Sequence, residues 1–118
     1  MKSAADLIAD AKTRIAEVSA AETITSRKSD PSMVLIDVRE DREWNLGHAA
    51  GAAHMSRGTL ESKIDVAVPR DARIVLYCAS GNRSALAAES LALMGYSSVA
   101  SMSGGFRAWV DANGEVEG

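Results

Sequence analysis

The sequence contains one cysteine and few aromatic residues. Cys78 has no second cysteine with which to form a disulfide within the 118 residues, and no cysteine–histidine cluster has the spacing of metal ligands. A lone thiol is typical of a reducing compartment, and the N-terminus lacks a signal-peptide pattern, so we expect a cytoplasmic protein. Aromatic residues make up 4% of the chain, which disfavours a surface that stacks nucleic-acid bases.

Strong net charge and long apolar runs are also missing. The formal net charge is −3, which provides no basic surface for nucleic acid. No apolar run approaches the roughly 18 to 20 residues that cross a bilayer. With 47% hydrophobic and 25% charged residues, the chain has the composition of one globular domain. We therefore expect no nucleic-acid or membrane partner.

The N-terminal segment has a helical pattern of apolar residues. The pattern predicts one helical face, packed on its own domain or on a partner, formed by Leu7, Ile8, Ala11, Ile15 and Val18. Ser19 and Glu22 have the spacing of a capping box that opens a second short helix. Pro31 ends this region, because the residue before a proline is disfavoured in a helix.

From residue 33 onward the pattern is that of an α/β protein. The runs MVLIDV, RIVLY and SSVASM are almost continuously apolar, as expected of parallel strands buried on both faces, and each precedes a helical stretch. The weaker run GAAHM indicates a further strand. Right-handed crossovers between such units predict one parallel sheet flanked by helices.

This topology predicts where functional residues meet. Ligands of open parallel sheets bind beyond the carboxyl ends of the strands. Residues 37–40, 78–83 and 103–105 each follow a predicted strand. We therefore expect these three segments to share one edge of the sheet.

The segment that begins at Cys78 carries the strongest chemical signal. Small or turn-forming residues follow the thiol, and Gly81 is able to adopt a positive φ. The next stretch predicts a helix from Ser84 that ends near Gly95. A tight loop before a helix turns backbone N–H groups inward and binds anions, which stabilises a thiolate and lowers the cysteine pKa. Either phosphoryl transfer or sulfur transfer could use such a thiolate.

Three motifs together resemble the single-domain rhodanese family of sulfurtransferases. They read LIDVRE…EW…GHAAGA, YCASGNRSALAA and SGGFRAW, in that order. The resemblance runs from about residue 24 to residue 113 and implies a three-layer fold in which helices flank a roughly five-stranded parallel sheet. It divides the chain into an extra N-terminal helical extension, residues 1–20, and a rhodanese-like domain, residues 21–118.

The resemblance also assigns roles to residues. It makes Cys78 the nucleophile that carries sulfane sulfur as a persulfide, without a metal or a cofactor. The loop around the outer sulfur would comprise Ala79, Ser80, Gly81, Asn82 and Arg83, and the supporting residues would be Ser84, Asp37 and Arg39. Among the other matched residues, His48 would serve a structural turn. From their aromatic side chains, we expect Phe106 and Trp109 to anchor the last helix.

The resemblance further implies a ping-pong reaction. Thiosulfate or a thiol persulfide would donate the sulfur, and cyanide, a thiol or a protein would accept it. Because Arg83 is the only charged residue in the loop, we expect weak activity with thiosulfate and a better match to thiol persulfides or a protein partner.

Two alternatives stay open beside this interpretation. The domain could be a sulfur carrier or docking module with little small-molecule turnover. It could also be a phosphatase, although Cys-dependent phosphatases place five residues between Cys and Arg, and this chain has four, Ala79 to Asn82. A shorter loop is expected to leave less room for a phosphoryl group.

Overall fold

Six helices and seven short strands follow one another along the chain. The computed structural model describes all of residues 1–118. The helices are α1 (Ala4–Lys12), α2 (Ala20–Ser29), α3 (Asp41–Asn45), α4 (Leu60–Ala67), α5 (Asn82–Leu93) and α6 (Gly105–Asp111). The strands are β1 (Ala16–Val18), β2 (Val34–Asp37), β3 (His48–Ala49), β4 (Ala53–His54), β5 (Arg73–Tyr77), β6 (Ser98–Met102) and β7 (Val116–Glu117).

Five of the strands form one parallel sheet. Their spatial order is β1-β6-β5-β2-β4, and every neighbouring pair in it is parallel. The other two strands, β3 and β7, form a small antiparallel pair, which the sequence did not predict. The prediction of a parallel α/β sheet is confirmed, and the three apolar runs form β2, β5 and β6. The weaker run GAAHM contributes only the two residues of β4.

Each face of the sheet has its own hydrophobic core, which explains the continuous apolar runs. Along β5, Ile74 and Leu76 join one core, and Val75 and Tyr77 join the other. The first core includes Leu60 and Ile64 of α4, together with residues of α5. The second includes Ala20 of α2 and Trp109 of α6. Helices therefore cover both faces, and the middle strands are buried throughout.

The N-terminal segment differs from its prediction. The helix α1 ends at Lys12, and Ala16–Val18 form β1, which pairs with β6. The prediction that one helical face extends through Ile15 to Val18 is therefore wrong. The spacing of these two residues suits a helix, but the backbone of this segment bonds to the sheet, and the Val18 carbonyl accepts a hydrogen bond from the Ser103 N–H. Residues 1–20 thus contribute a strand to the sheet formed by residues 21–118.

The helix α1 packs on its own domain. Its neighbour is α5, and Ala11 in its last turn is fully buried. Just beyond the helix, the Arg14 guanidinium forms an ion pair with Glu89 of α5. Of the two packing arrangements that the sequence left open, the structure has the intramolecular one.

The capping residues set the limits of α2 as predicted. The Ser19 hydroxyl accepts a hydrogen bond from the Glu22 N–H at 3.0 Å, and the Glu22 carboxylate accepts one from the Ser19 N–H at 3.1 Å. The helix ends at Ser29, two residues before Pro31. No helix in the chain combines the length and the apolar character needed to cross a membrane.

Candidate active site

Three chain segments meet at the carboxyl edge of the sheet, as predicted. The strands β2, β5 and β6 are adjacent, so the residues that follow them are brought together. The Val38 N–H donates to the carbonyl of Tyr77 at 2.9 Å, and the Phe106 N–H donates to the carbonyl of Cys78 at 2.7 Å. These two bonds connect the cysteine loop to the segment on each side of it.

Cys78 follows β5 directly and lies at the base of a tight loop. Gly81 has a φ of 98° and precedes the first residue of α5, Asn82. The helix thus begins two residues before the predicted Ser84, because the positive φ of Gly81 already turns the chain into the helical direction. Ser84 consequently lies in the first turn, where its N–H has no partner within the helix and faces the loop.

Hydrogen-bond donors converge on the sulfur atom. The Gly81 N–H donates to the Cys78 Sγ at 3.1 Å, and the Ser84 N–H does so at 3.4 Å. The Ser84 Oγ lies 3.6 Å from the same sulfur. The donors face inward and the N-terminal end of α5 lies behind them, an arrangement that favours negative charge at the sulfur.

The environment of the thiol favours its ionised form. Cys78 is 1% exposed, and this burial raises its pKa. The hydrogen bonds from the Ser84 hydroxyl and from the N–H groups of Ser84, Ser80 and Gly81 act in the opposite direction and outweigh burial, so the pKa of Cys78 is lower than that of an ordinary cysteine. A thiolate is the reactive form of cysteine in nucleophilic chemistry.

Arg83 forms an ion pair with Glu43 on α3. Its Nη1 donates to the Glu43 Oε1 at 2.9 Å, and its Nη2 donates to the Oε2 at 3.1 Å. The hydrogen bond from Arg83 holds the pKa of Glu43 at about 2. Both terminal nitrogens of the guanidinium group are therefore engaged by one carboxylate, which holds the side chain in position beside the loop.

Asp37 and Arg39 form a buried ion pair under the site. The Arg39 Nη2 lies 2.8 Å from the Asp37 Oδ2 and also donates to the carbonyl of Gly47 at 2.7 Å. The guanidinium carbon lies 4.3 Å from the ring centroid of Phe106, a cation–π distance. Asp37 is fully buried and Arg39 is 5% exposed. The pair thus joins the end of β2 to the residue whose N–H binds the Cys78 carbonyl.

The remaining loop residues differ in their access to solvent. Ser80 and Asn82 are exposed, Ala79 is half-buried and Gly81 is buried. Of the five predicted loop residues, Ala79, Ser80 and Gly81 lie between β5 and α5, while Asn82 and Arg83 are the first two residues of the helix.

Both histidines belong to one aromatic stack on Trp44. The rings of Trp44 and His48 have centroids 3.4 Å apart, and those of Trp44 and His54 have centroids 4.9 Å apart. The His48 Nδ1 lies 3.1 Å from the carbonyl oxygen of Trp44. His48 thus joins the end of α3 to β3, but it is a strand residue and does not lie in the predicted turn.

Glu43 and Ser101 are two residues of the site that the sequence did not single out. Ser101 on β6 is fully buried, and its Oγ lies 2.7 Å from the Ser84 Oγ. The sequence does carry a signal for Ser101, which is a polar residue between apolar ones near the end of the run SSVASM. Gly105 packs so closely on the cysteine loop that an added Cβ would lie 2.3 Å from the Cys78 carbonyl oxygen.

The family of the chain follows from comparison with known sequences. The sequence model of the family described as the rhodanese-like domain matches residues 20–112. The chain therefore belongs to the rhodanese-like domain family, and its sheet and flanking helices are a rhodanese-like fold. Its sequence relatives support activity of the sulfurtransferase type at the level of the family.

Two curated relatives carry sulfurtransferase names. The thiosulfate sulfurtransferase GlpE of Ectopseudomonas mendocina is 38% identical over 76 residues, which cover 64% of this chain and 69% of GlpE. The probable adenylyltransferase/sulfurtransferase MoeZ of Mycobacterium tuberculosis is 35% identical over 101 residues, which cover 80% of this chain. The match covers 26% of MoeZ, so this chain corresponds to about a quarter of that relative.

A solved structure from Rhodopseudomonas palustris is similar over almost the entire chain. It has a TM-score of 0.89 and 36% sequence identity, with 99% of this chain and 96% of that chain covered. That protein is described as of unknown function and as a possible tyrosine phosphatase.

Proposed function

We propose that this protein is a sulfurtransferase in which Cys78 accepts a sulfane sulfur and passes it to a thiophilic acceptor. The observation that carries the proposal is the set of donors around the buried sulfur: the N–H groups of Gly81 and Ser84 and the nearby Ser84 hydroxyl. These donors stabilise the thiolate that attacks. They also suit the anionic persulfide that forms, because both species accept hydrogen bonds.

The reaction has two steps. In the first, the Cys78 thiolate attacks the outer sulfur of the donor, an S–S bond forms to Cys78, and the S–S bond of the donor breaks. Thiosulfate would release sulfite, and a thiol persulfide would release its thiol. In the second, cyanide, a thiol or a protein thiolate attacks the outer sulfur and the Cys78 thiolate leaves. The transferred sulfur is the only group carried, so the scheme needs no metal and no cofactor.

The loop favours sulfur over phosphate as the transferred group. Four residues separate Cys78 from Arg83, one fewer than in Cys-dependent phosphatases. A phosphoryl dianion requires several donors around its oxygens, but both terminal nitrogens of Arg83 already bind Glu43. A persulfide adds a single sulfur atom, which needs less space and fewer donors.

The charge of the loop affects which sulfur donor it favours. Ala79, Ser80 and Asn82 are neutral, and the positive charge of Arg83 is compensated by Glu43. Thiosulfate carries two negative charges, so it gains little electrostatic attraction at this loop. We therefore infer that a thiol persulfide or a protein persulfide is the better donor.

Asp37 and Arg39 support the site in this proposal without touching the substrate. The Arg39 guanidinium binds the Asp37 carboxylate and the Gly47 carbonyl, and it contacts Phe106, whose N–H binds the Cys78 carbonyl. Loss of either partner would leave the other charge buried and unpaired, which would disturb the position of the loop.

A sulfur-carrier module is the second candidate function. The MoeZ relative is a longer protein whose name joins adenylyltransferase and sulfurtransferase activities, which is consistent with a domain that receives or delivers sulfur within a larger system. Such a module would load sulfur on Cys78 as above but release it slowly to small acceptors.

Mass spectrometry of the intact protein tests the proposal. After incubation with thiosulfate or a thiol persulfide, wild type should gain the mass of one sulfur atom, and Cys78→Ser should gain none. Addition of cyanide or a thiol should return the original mass, and slow return with these small acceptors would favour the carrier function. Hydrolysis of an aryl phosphate that requires Cys78, without any sulfur adduct, would overturn the proposal and favour the phosphatase.

A further inference from the structure

Two buried serine hydroxyls lead away from the catalytic sulfur. Ser84 and Ser101 are both fully buried. The Ser84 Oγ lies 3.6 Å from the Cys78 Sγ on one side and 2.7 Å from the Ser101 Oγ on the other. The second contact has the length of a well-formed hydrogen bond between hydroxyl groups.

The charge on sulfur decides the direction of both hydrogen bonds. A thiolate carries no proton, so it only accepts hydrogen bonds, and the single proton of the Ser84 hydroxyl must point to it. The Ser84 oxygen can then meet Ser101 only as an acceptor. The Ser101 hydroxyl therefore has to supply the proton of the 2.7 Å bond. The same direction applies when Cys78 carries a persulfide, because its Sγ has no proton in that state either.

We propose that Ser101 is a positioning residue, whose hydroxyl donates to the Ser84 Oγ and so directs the Ser84 proton to the Cys78 Sγ. This inference rests on the proposed function for its purpose, since a thiolate nucleophile is what the arrangement serves. A donor behind Ser84 polarises its hydroxyl and strengthens the bond that Ser84 gives to the anion.

No charged side chain nearby can replace the Ser101 hydroxyl as the hydrogen-bond donor to the Ser84 oxygen. Arg83 is the cation near Cys78, and it is bound to Glu43. Ser101 lies on β6 between Leu76 of β5 and Glu17 of β1 in the sheet register. Glu17 is exposed at the sheet edge, so the group that can donate to the buried Ser84 oxygen is the Ser101 hydroxyl.

A titration of the thiol tests the proposal directly. Cys78 is the only cysteine, so thiolate absorbance in the ultraviolet, corrected with Cys78→Ser, reports its pKa without any sulfur donor. We expect Ser84→Ala to raise the thiol pKa by about one unit and Ser101→Ala to raise it by about half a unit. Ser98→Ala, an exposed position on the same strand, is the matched control and should leave the pKa unchanged.

The double variant separates positioning from a general structural effect. If Ser101 acts through Ser84, Ser101→Ala should shift the pKa by less than about 0.2 units when Ser84 is already alanine. An equal shift in both backgrounds, or no shift in wild type, would overturn the proposal. Ser101→Thr should retain most of the wild-type pKa, because it keeps the hydroxyl.

A matched pair keeps the test decisive if Ser101→Ala does not fold. Ser101→Thr and Ser101→Val have nearly the same shape and differ in the hydroxyl. We expect a higher thiol pKa in the valine variant, and equal values would overturn the proposal. Sulfur loading is measured separately. If Cys78 accepts sulfur but the thiol pKa does not depend on Ser101, only the role of Ser101 is refuted. If the thiol pKa depends on Ser101 but Cys78 accepts no sulfur, only the sulfurtransferase proposal is refuted.

Discussion

Replacement of Gly105 by alanine should disturb the cysteine loop through a single methyl group. Gly105 has a φ of +60°, and an added Cβ would lie 2.3 Å from the Cys78 carbonyl oxygen and 2.5 Å from the Ala79 carbonyl carbon. Both atoms are backbone, so the overlap cannot be relieved by a side-chain rotation. Either α6 or the cysteine loop has to move.

Two costs combine in this variant. The left-handed backbone conformation costs a residue with a Cβ about 1–2 kcal/mol. Overpacking against the loop adds a further cost of about 1–3 kcal/mol. Gly95 supplies a matched control, because its φ is +93° and an added Cβ would meet no atom within 4 Å. Gly95→Ala should therefore incur only the backbone cost.

Urea denaturation of both variants measures the difference. We expect Gly105→Ala to lower the free energy of unfolding by about 1–3 kcal/mol more than Gly95→Ala does. Movement of the loop should also weaken the 2.7 Å bond from the Phe106 N–H to the Cys78 carbonyl, with slower sulfur loading as the result. Equal destabilisation of the two variants, with normal sulfur loading in both, would refute the close contact between α6 and the loop.

Three further predictions concern charges and caps. Glu43→Gln should remove stability that wild type has above pH 4.5 and loses as the pH falls toward 2, because the folded-state pKa of Glu43 is depressed from 4.5 to about 2; urea denaturation across this range measures it. Asp37→Asn should destabilise the fold by about 3–5 kcal/mol, since it leaves the buried Arg39 charge unpaired; thermal unfolding checks this. Ser19→Ala should cost about 1 kcal/mol through loss of the α2 cap, measured by urea denaturation.

Each of these predictions has a clear contrary result. Identical stability of wild type and Glu43→Gln from neutral pH down to pH 2 would show that the ion pair with Arg83 contributes nothing to folding. For the buried pair, Asp41→Asn is the control, because the Asp41 side chain is 87% exposed, and equal effects of the two aspartate substitutions would contradict the structure. An unchanged free energy of unfolding in Ser19→Ala would show that the cap of α2 does not stabilise the fold.

The parts of the fold that sequence could predict are those with local signals. RIVLY coincides with β5, since every residue in its middle is buried on one face or the other. The cap of α2 was predictable, because both partners lie within one turn. β1 was not, because Ile15 and Val18 have helical spacing, while the bonds that make the segment a strand come from β6, more than 80 residues away in the chain.

The candidate site also has parts that the sequence could predict and parts that depend on contacts between distant segments. The loop from Cys78 to Arg83 is contiguous, so its spacing could be read directly, and the placement of three segments at one edge followed from the parallel topology. The partner of Arg83 is 40 residues away in the chain, and the local sequence does not show that Arg83 binds Glu43 rather than Asp41, the other acidic residue of α3. Ser101 faces Ser84 only because β6 lies beside β5.

The order of the strands also bears on how the molecule resists self-association. An edge strand exposes unpaired N–H and carbonyl groups that can template strand exchange with another copy. Here the two outer strands are the shortest in the sheet, with three residues in β1 and two in β4. The five-residue strand β5 is enclosed between β2 and β6. The apolar sequence of β5 would be prone to aggregate if it lay at an edge. Its position inside the sheet keeps it from contact with other molecules as long as β2 and β6 stay paired with it.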